Sequence, residues 1–592
     1  MALTNPSASP AVTVREIDLS GVVPNVQTST GAVVGNFRWG PIEQRTLVSN
    51  ETSLVSTFGS PSEETAVDFM SAAYFLKYSS SLYAVRAHVG AKNASTDPEM
   101  VSLPDGSPSD VVDTSKQPLV KNSDHWETSV KGTFTEEGET PTSRGSFIAK
   151  YAGALGSALT VSVCSTNDFD NWGYSQYFDG APGTSGWASD RNATNDELHI
   201  VVVDRTGEIA GTPNGVLETF SFVSVAKGAL TDEGAKNYIG DVLDNQSPYV
   251  WFAGFMADAT WSLNAGRVPP VDGSVYDYVQ SFTTATLPMS GGKDSSALST
   301  SSVTNAFDLF LNAETVVVDF LIAPKSETLE LADTVISHLV GIAEQRKDCV
   351  VVASPHAAAM TDITPVGKIV ELANALPSSS YLVMDNNFVK IFDKYNNKYI
   401  KIPACSSTAG VMAASDISSA PWFSPAGSRR GIYLGITDIV LNPSKSDRDT
   451  LYKVGVNPIA NIPGQGVILF GDKTFLKRPS AFDRINVRRL FLALERAITV
   501  AGKNVMFEFN DEFTRAEFVN IVEPLLREVQ GRRGITDFKV VCDETNNTSA
   551  VVDRNEFVAS IFIKPARSIN YVTLNFVAVR TGVEFEEVVG TV

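Results

Sequence analysis

The chain has 592 residues, 43% of them hydrophobic, and a formal net charge of −20. That length fits several domains, each able to bury its own core, and that apolar content excludes a disordered chain. The acidic balance speaks against a general nucleic-acid binder. No apolar run approaches the ~18 residues of a spanning helix; the best candidate, near Val316, is broken by Asp319. The opening MALTNPSASP lacks the basic-then-apolar order of a signal peptide. Cys164, Cys349, Cys405 and Cys542 lie far apart and form no CxxC pair. They read as buried free thiols, in keeping with a reducing cytosol at synthesis.

Residues 1–10 are small, polar and proline-bearing, a mobile leader. Val12, Val14, Ile17 and Leu19 then alternate weakly, with one phase slip, as a strand-like arm. GAVVGNFRWGP at 31–41 predicts a strand ending in a turn. SPSEETAVDFMSAAYFLKY predicts a capped helix with Ala66, Phe69, Met70, Ala73 and Leu76 on one side, and LYAVRAHV a strand. From 91 to 144 Ser, Thr, Asp, Glu, Pro and Gly dominate, which predicts a polar surface insertion, partly disordered. From 145 to 285 strand patterns prevail, joined by aromatic and glycine-rich connections. Beyond PMSGGKDSS at 288–296 helix and strand alternate. VVVDFLIAP and CVVVASP read as buried strands. The helix between them has Leu329, Ala332, Val335, Ile336, Leu339 and Ile342 on its stripe. This βαβ order predicts a parallel pair joined by a right-handed crossover. No internal repeat is found, which sets solenoids aside.

The C-terminal stretch inverts the overall charge, with seven basic and two acidic residues between 477 and 503. It predicts an amphipathic helix with Val487, Leu490, Phe491, Leu494 and Ile498 on one stripe and Arg488, Arg489, Glu495 and Arg496 outside it. A second helix is predicted to open at Thr514, with Glu517 completing a capping box, to kink at Pro524 and to stop at Gly531. Alternating segments follow at 538–542, 557–563 and 569–579, the last with Val572, Leu574, Phe576 and Ala578 on one face.

Chemistry-bearing motifs are few. Ser290-Gly291-Gly292-Lys293-Asp294-Ser295 matches the SGGxDS loop of ATP pyrophosphatase domains, where backbone amides at a helix start hold phosphate. Such a loop follows a buried strand and opens a strong helix, whereas SALSTSSVTN here is poor helix material. The alternative is a structural turn. His88, His125, His199, His338 and His356 show no metal-ligand spacing, and no GxSxG or HExxH pattern occurs. No cofactor or metal is implied. The basic helix allows two readings: a solvated face with internal ion pairs, such as one from Asp483, or a surface for an acidic partner met by Arg484, Arg488, Arg489 or Arg496.

The segments FDRINVRRLF, CDETNNT, DRNEFVA and KPARSINYVTLNF, in that order, closely resemble the C-terminal part of tail sheath proteins of contractile-tailed bacteriophages, the T-even-like group in particular. FRWGP, STFGSP, YAVRA, AKYAGALGSALTVSV, the GG-x-D turn and PWFSPAGSRRGI are similar to the family's pattern as well. The resemblance implies a multidomain α/β and α+β fold. A mixed core would be formed by the N- and C-terminal parts, with a β-rich inserted middle and extended terminal arms. It divides the chain into an arm (1–20), core (21–90), a polar insertion that stands for a reduced outer domain (91–144), a β-rich middle domain (145–285), core again (286–475), a C-terminal sheath domain (476–568) and a final strand and arm (569–592). It also implies a non-enzymatic helical homo-oligomer around a tail tube, attached to a baseplate and a tail terminator, in the virion tail after assembly in the host cytoplasm. Nucleic acid and membrane insertion are not among the implied partners. The arms would join neighbouring copies through Val12, Val14, Ile17 and Leu19 and through Tyr571, Val572, Leu574, Phe576 and Val579, and the arginine face would meet the tube. A bacterial contractile injection sheath is the alternative with the same physics, and an ATP-using enzyme the alternative of another class.

Overall fold

The computed structural model describes residues 29–96, 100–102, 108–113, 117–131, 147–255, 264–278 and 284–570. They form two units, divided within a helix between Arg488 and Arg489.

In the larger unit, Gly31–Gly35 is buried along its whole length. It sits inside a seven-stranded sheet ordered Thr46–Val48, Leu82–Arg86, Gly31–Gly35, Phe320–Ile322, Val350–Ala353, Leu382–Asp385, Val456–Asn457. Every neighbouring pair is parallel except the first. Gly31 faces Leu82 on one side and Phe320 on the other, so one sheet is built from both ends of the core. The expected βαβ unit is present: Phe320–Ile322 and Val350–Ala353 pair in parallel, joined by the helix Leu329–Arg346, which buries Ala332, Val335, Ile336, Leu339 and Ile342. Asp319, which interrupts the apolar run, is buried and accepts from the Thr30 backbone N–H at 2.9 Å, fastening the start of the central strand.

One expectation is corrected here. The polar SALSTSSVTN segment does make a helix, Thr300–Asp308. Ser299 caps it by accepting from the Ser302 N–H, and Val303, Ala306 and Phe307 bury in the sheet's core. Cap and tertiary burial outweigh weak propensity.

At the end of its strand Asp385 is fully buried. Its carboxyl accepts from Ser354 Oγ, Thr408 Oγ1 and the Asn387 N–H. Burial pushes its pKa up to about 7 despite these bonds. The folded state therefore holds this proton more tightly than the unfolded chain. The stability it contributes is complete below about pH 4 and is lost as pH rises toward 7, at about 1.4 kcal/mol per pH unit. Asp385→Asn, which keeps the acceptor for Ser354 and Asn387, should raise the melting temperature at pH 8 and give little gain at pH 4. Thermal melts of both proteins at the two pH values check this, and a variant less stable at pH 8 contradicts it.

The middle region centres on an antiparallel sheet ordered Gly215–Ser224, Glu197–Asp204, Leu159–Cys164, Ala285–Pro288. His199 is buried within it; its Nδ1 accepts from the Phe222 N–H, and its Nε2 donates to the Gly180 carbonyl. The expected polar surface insertion is also corrected, in its described parts. Asn93, Ala94 and Ser95 are buried, and Trp126 is fully buried, stacked on Trp251 at 5.0 Å. A few apolar residues, Val120, Trp126 and Val130, dock this stretch on Ile148 and Trp251 although its composition is polar.

The smaller unit holds the rest of the helix Ile485–Asn504, the helix Glu512–Gly531 and the hairpin Ile535–Val541/Ser560–Pro565. The second helix starts two residues before the expected Thr514. Asp511 is the cap, accepting from the Thr514 N–H at 2.9 Å, because an aspartate there meets the dipole as well as the amide. The helix continues through Pro524 and ends at Gly531. Leu490, Leu494, Phe518, Val522, Leu526 and Val529 form its core.

All four cysteines are buried and free. No described helix is long and apolar enough to cross a membrane.

Candidate functional site

The motifs singled out in the first half of the core meet around one side chain, Arg86. It is fully buried on the strand Leu82–Arg86. Nη1 donates to the Gly40 carbonyl at 3.0 Å, and Nη2 to Arg38 at 3.3 Å and Ala152 at 2.7 Å. FRWGP, YAVRA and AKYAGALG are thereby tied together. Burial lowers the guanidinium pKa to about 10, and the nearby Asp294 carboxylate opposes that fall. Asp294 in turn accepts from the Ala154 N–H at 2.8 Å. Gly153 and Gly292 close the knot: a side chain on Gly292 would come within 2.3 Å of the Gly153 carbonyl, and Gly153 itself takes φ +143.

This geometry bears on the SGGKDS loop. The N–H groups of Ser290, Gly292 and Lys293 donate to the Ser95 carbonyl, Ser157 Oγ and the Lys92 carbonyl. These three of the loop's amides, which a phosphate cradle would need, are bonded within the chain. The preceding strand, Ala285–Pro288, is antiparallel to its partner and half-exposed rather than a buried parallel strand. Lys92 and Lys293 also return the bond, N–H to carbonyl at 3.0 Å, and Ser296 N–H donates to Val89. The two crossings of the chain between sheet and middle region are therefore rung together.

The arginine face divides between the units. Arg484 donates to Asp472 at 3.0 Å and to Tyr452 Oη at 2.6 Å, and it lies 3.7 Å from Asp483. Arg488 is 7% exposed, donates to Ser380 Oγ at 2.6 Å and lies over the rings of Tyr381 and Phe482 at 4.3 and 4.1 Å. Both are engaged inside their own unit, Arg484 through ion pairs of the kind the internal reading expects, and Arg488 through a hydroxyl and two rings at a buried position rather than on a solvated face. Arg489 is buried and Arg496 half-buried. Charge reversal of Arg488 would set a carboxylate against two aromatic faces. Arg488→Glu should lower the melting temperature by about 3–5 °C, from a buried-charge penalty of several kcal/mol. Calorimetry checks it; an unchanged melt would return Arg488 to the candidate partner surface.

The hairpin Ile535–Val541/Ser560–Pro565 has no third strand among the described residues. The arm residues Val12, Val14, Ile17 and Leu19, and Tyr571, Val572, Leu574, Phe576 and Val579, lie outside the described residues.

The comparisons with known proteins agree with this arrangement. A family model described as phage tail sheath protein central domain matches residues 297–475, and one described as phage tail sheath C-terminal domain matches 477–578. The sheath tail proteins of Listeria innocua and Desulfitobacterium hafniense have similar solved folds. They align over 91% and 94% of this chain and 96% and 100% of theirs, with TM-scores of 0.51 and 0.50 at 12% identity. The tail sheath protein of Salmonella phage ViI is 30% identical over 99% of this chain and 98% of its own length. That of Enterobacteria phage T4 is 33% identical over 98% of this chain and 99% of its own. With a third of its aligned positions shared along nearly the whole of both proteins, the chain belongs to the phage tail sheath protein family.

Proposed function

We propose that this chain, a structural subunit of a contractile tail sheath, polymerises as a helical tube around a tail tube, is held by baseplate and tail-terminator proteins, and works mechanically rather than as an enzyme. The observation that carries the reading is the hairpin Ile535–Val541/Ser560–Pro565, a two-stranded sheet with no third strand among the described residues. The edges of such a sheet invite a strand from another chain. The apolar alternations at 12–19 and 569–579 supply suitable strands. Arms that cross between copies keep subunits linked while their packing changes from a metastable extended state to a contracted one. Head-to-tail contacts that do not close on themselves give a filament. Contraction then drives the tube through the host envelope, and the sheath belongs to the virion tail after assembly in the host cytoplasm.

The tail tube as partner of the basic helix is supported by the local charge and by the resemblance. Arg496, half-buried, is the candidate that remains once Arg484 and Arg488 are assigned to the interior and Arg489 is found buried as deeply as Arg488. The T4 alignment spans 658 positions against the 592 residues here, so that protein carries segments this chain lacks. A bacterial injection sheath uses the same physics, and gene neighbourhood separates the two.

Negative-stain microscopy of the purified chain tests the proposal. Tubes or cogwheel-like rings are expected. Compact monodisperse particles that turn over ATP, with turnover lost in Lys293→Ala, would overturn it.

A further inference from the structure

We propose that the groove beside residues 506–509 is the anchor site for the apolar segment 569–580 of a second copy of this chain. The proposal rests on the arm-exchange reading above and adds where the arm is gripped.

The groove, about 940 Å³ in volume, lies within the smaller unit and is lined by Ile498, Val505, Phe518 and Phe557 among others. Its rim is unusually apolar for an exposed surface. Phe507 is 100% exposed, Phe509 83% and Met506 57%, and Phe513, just beyond the lining residues, is 77% exposed. Single exposed apolar residues are ordinary; four large ones within eight positions mark a surface that a partner covers. Phe507 also takes φ +73, a conformation that side chains with a Cβ rarely adopt. Local strain at an outward-facing ring fits a residue selected for what it will touch.

Charge chooses between the two arms. Glu508 and Glu556 line the groove, and Asp511 and Glu512 stand beside it. The segment 569–580 contains no acidic residue and ends on Arg580, whereas the N-terminal arm carries Glu16 and Asp18 against one basic residue, Arg15. An acidic rim favours the first and repels the second. The direction of the hairpin favours a second copy. Ser560 faces Val541 and Pro565 faces Ile535. The chain thus passes the groove at Phe557 and Ala559, then leaves at the opposite end, where the Ala566 N–H donates to Gly534. That exit is about 20 Å along the strand. A segment from another copy needs no such return.

The test uses the full-length chain with photoreactive benzoylphenylalanine at position 507. Isotopically light and heavy copies are mixed before polymerisation, irradiated and analysed by mass spectrometry. Light–heavy cross-links to residues 569–580 are expected. Cross-links only within one copy, to residues 12–19, or to no segment of this chain would overturn the assignment. In parallel, Phe507→Ser combined with Phe509→Ser should leave circular dichroism unchanged and reduce the polymerised fraction about tenfold or more, since each ring would otherwise be buried in the contact. If that variant polymerises like the parent while a chain truncated before Ile569 does not, the groove assignment falls and arm exchange stands. If the truncated chain polymerises too, arm exchange itself falls.

Discussion

Truncation before Ile569 should leave a folded, soluble chain that forms no tubes. Among the described residues the smaller unit has a core of its own: Leu490, Leu494, Phe518, Val522 and Leu526 pack between its two helices and the hairpin. The larger unit draws its seven-stranded sheet entirely from residues before 458. What the truncation removes is the alternating stretch at 571–579. An added strand contributes main-chain hydrogen bonds along its whole length and side-chain pockets at every second residue, so its loss should abolish assembly rather than weaken it. The downstream Glu584, Glu586 and Glu587 discourage pairing with a wrong acidic edge and leave the strand itself free. Deleting residues 1–19 should produce a similar but milder defect. Sedimentation and circular dichroism on both truncations decide the matter. Tubes of normal width from the C-terminal truncation mean that subunits are linked elsewhere. An unfolded product means that the last strand belongs to its own subunit's core.

Arg86→Met should be the most damaging single substitution in the larger unit. Methionine fills much of the volume but leaves the carbonyls of Arg38, Gly40 and Ala152 without their donor. An unsatisfied buried polar group costs about 1–3 kcal/mol, so the loss is ~3–5 kcal/mol of a total stability of ~5–15. In a unit of this size that corresponds to about 3–5 °C in melting temperature. Arg86→Lys should recover only part of it, because one ammonium cannot reproduce the planar fork that reaches three acceptors. Calorimetry gives the midpoints, and hydrogen exchange at Ala152 and Ala154 locates the opening. A methionine variant melting within about 1 °C of the parent would show that the three carbonyls find other donors.

Periodicity made some of this architecture legible and not the rest. The stripe from Ala332 to Ile342 repeats at helical spacing between two apolar runs, so helix, strands and parallel pairing could all be read from it. The hairpin of the smaller unit was readable to within three residues at its ends. Arg86 was not, because its acceptors lie far off in sequence, at 38, 40 and 152; it stood inside a recognisable motif with no sign of its partners. Arg488 was misleading for a related reason. It falls outside the apolar stripe of its helix, yet Tyr381 and Phe482 cover it from elsewhere in the chain. Trp126 sits in a stretch whose average composition is polar, and an average conceals the one large ring that docks it. Ser299 and Asp511 show the local case: a cap moved a helix start, or rescued a weak helix, against what propensity alone favours.

The rung between Lys92 and Lys293 has an evolutionary reading. The chain leaves the sheet and comes back to it through the same doorway, with Val89 and Ser296 side by side at the threshold. The segments that touch Arg86 and its glycines stay close to that doorway. Whatever hangs beyond it is freer to lengthen, shrink or be replaced while the register of the sheet is kept. Lineages can therefore remodel the decoration carried by every copy without redesigning the engine beneath it. The same logic offers an engineer a grafting point. The tip at 211–214 is exposed and lies between two paired strands, so a small reporter with neighbouring termini could be displayed there on each subunit.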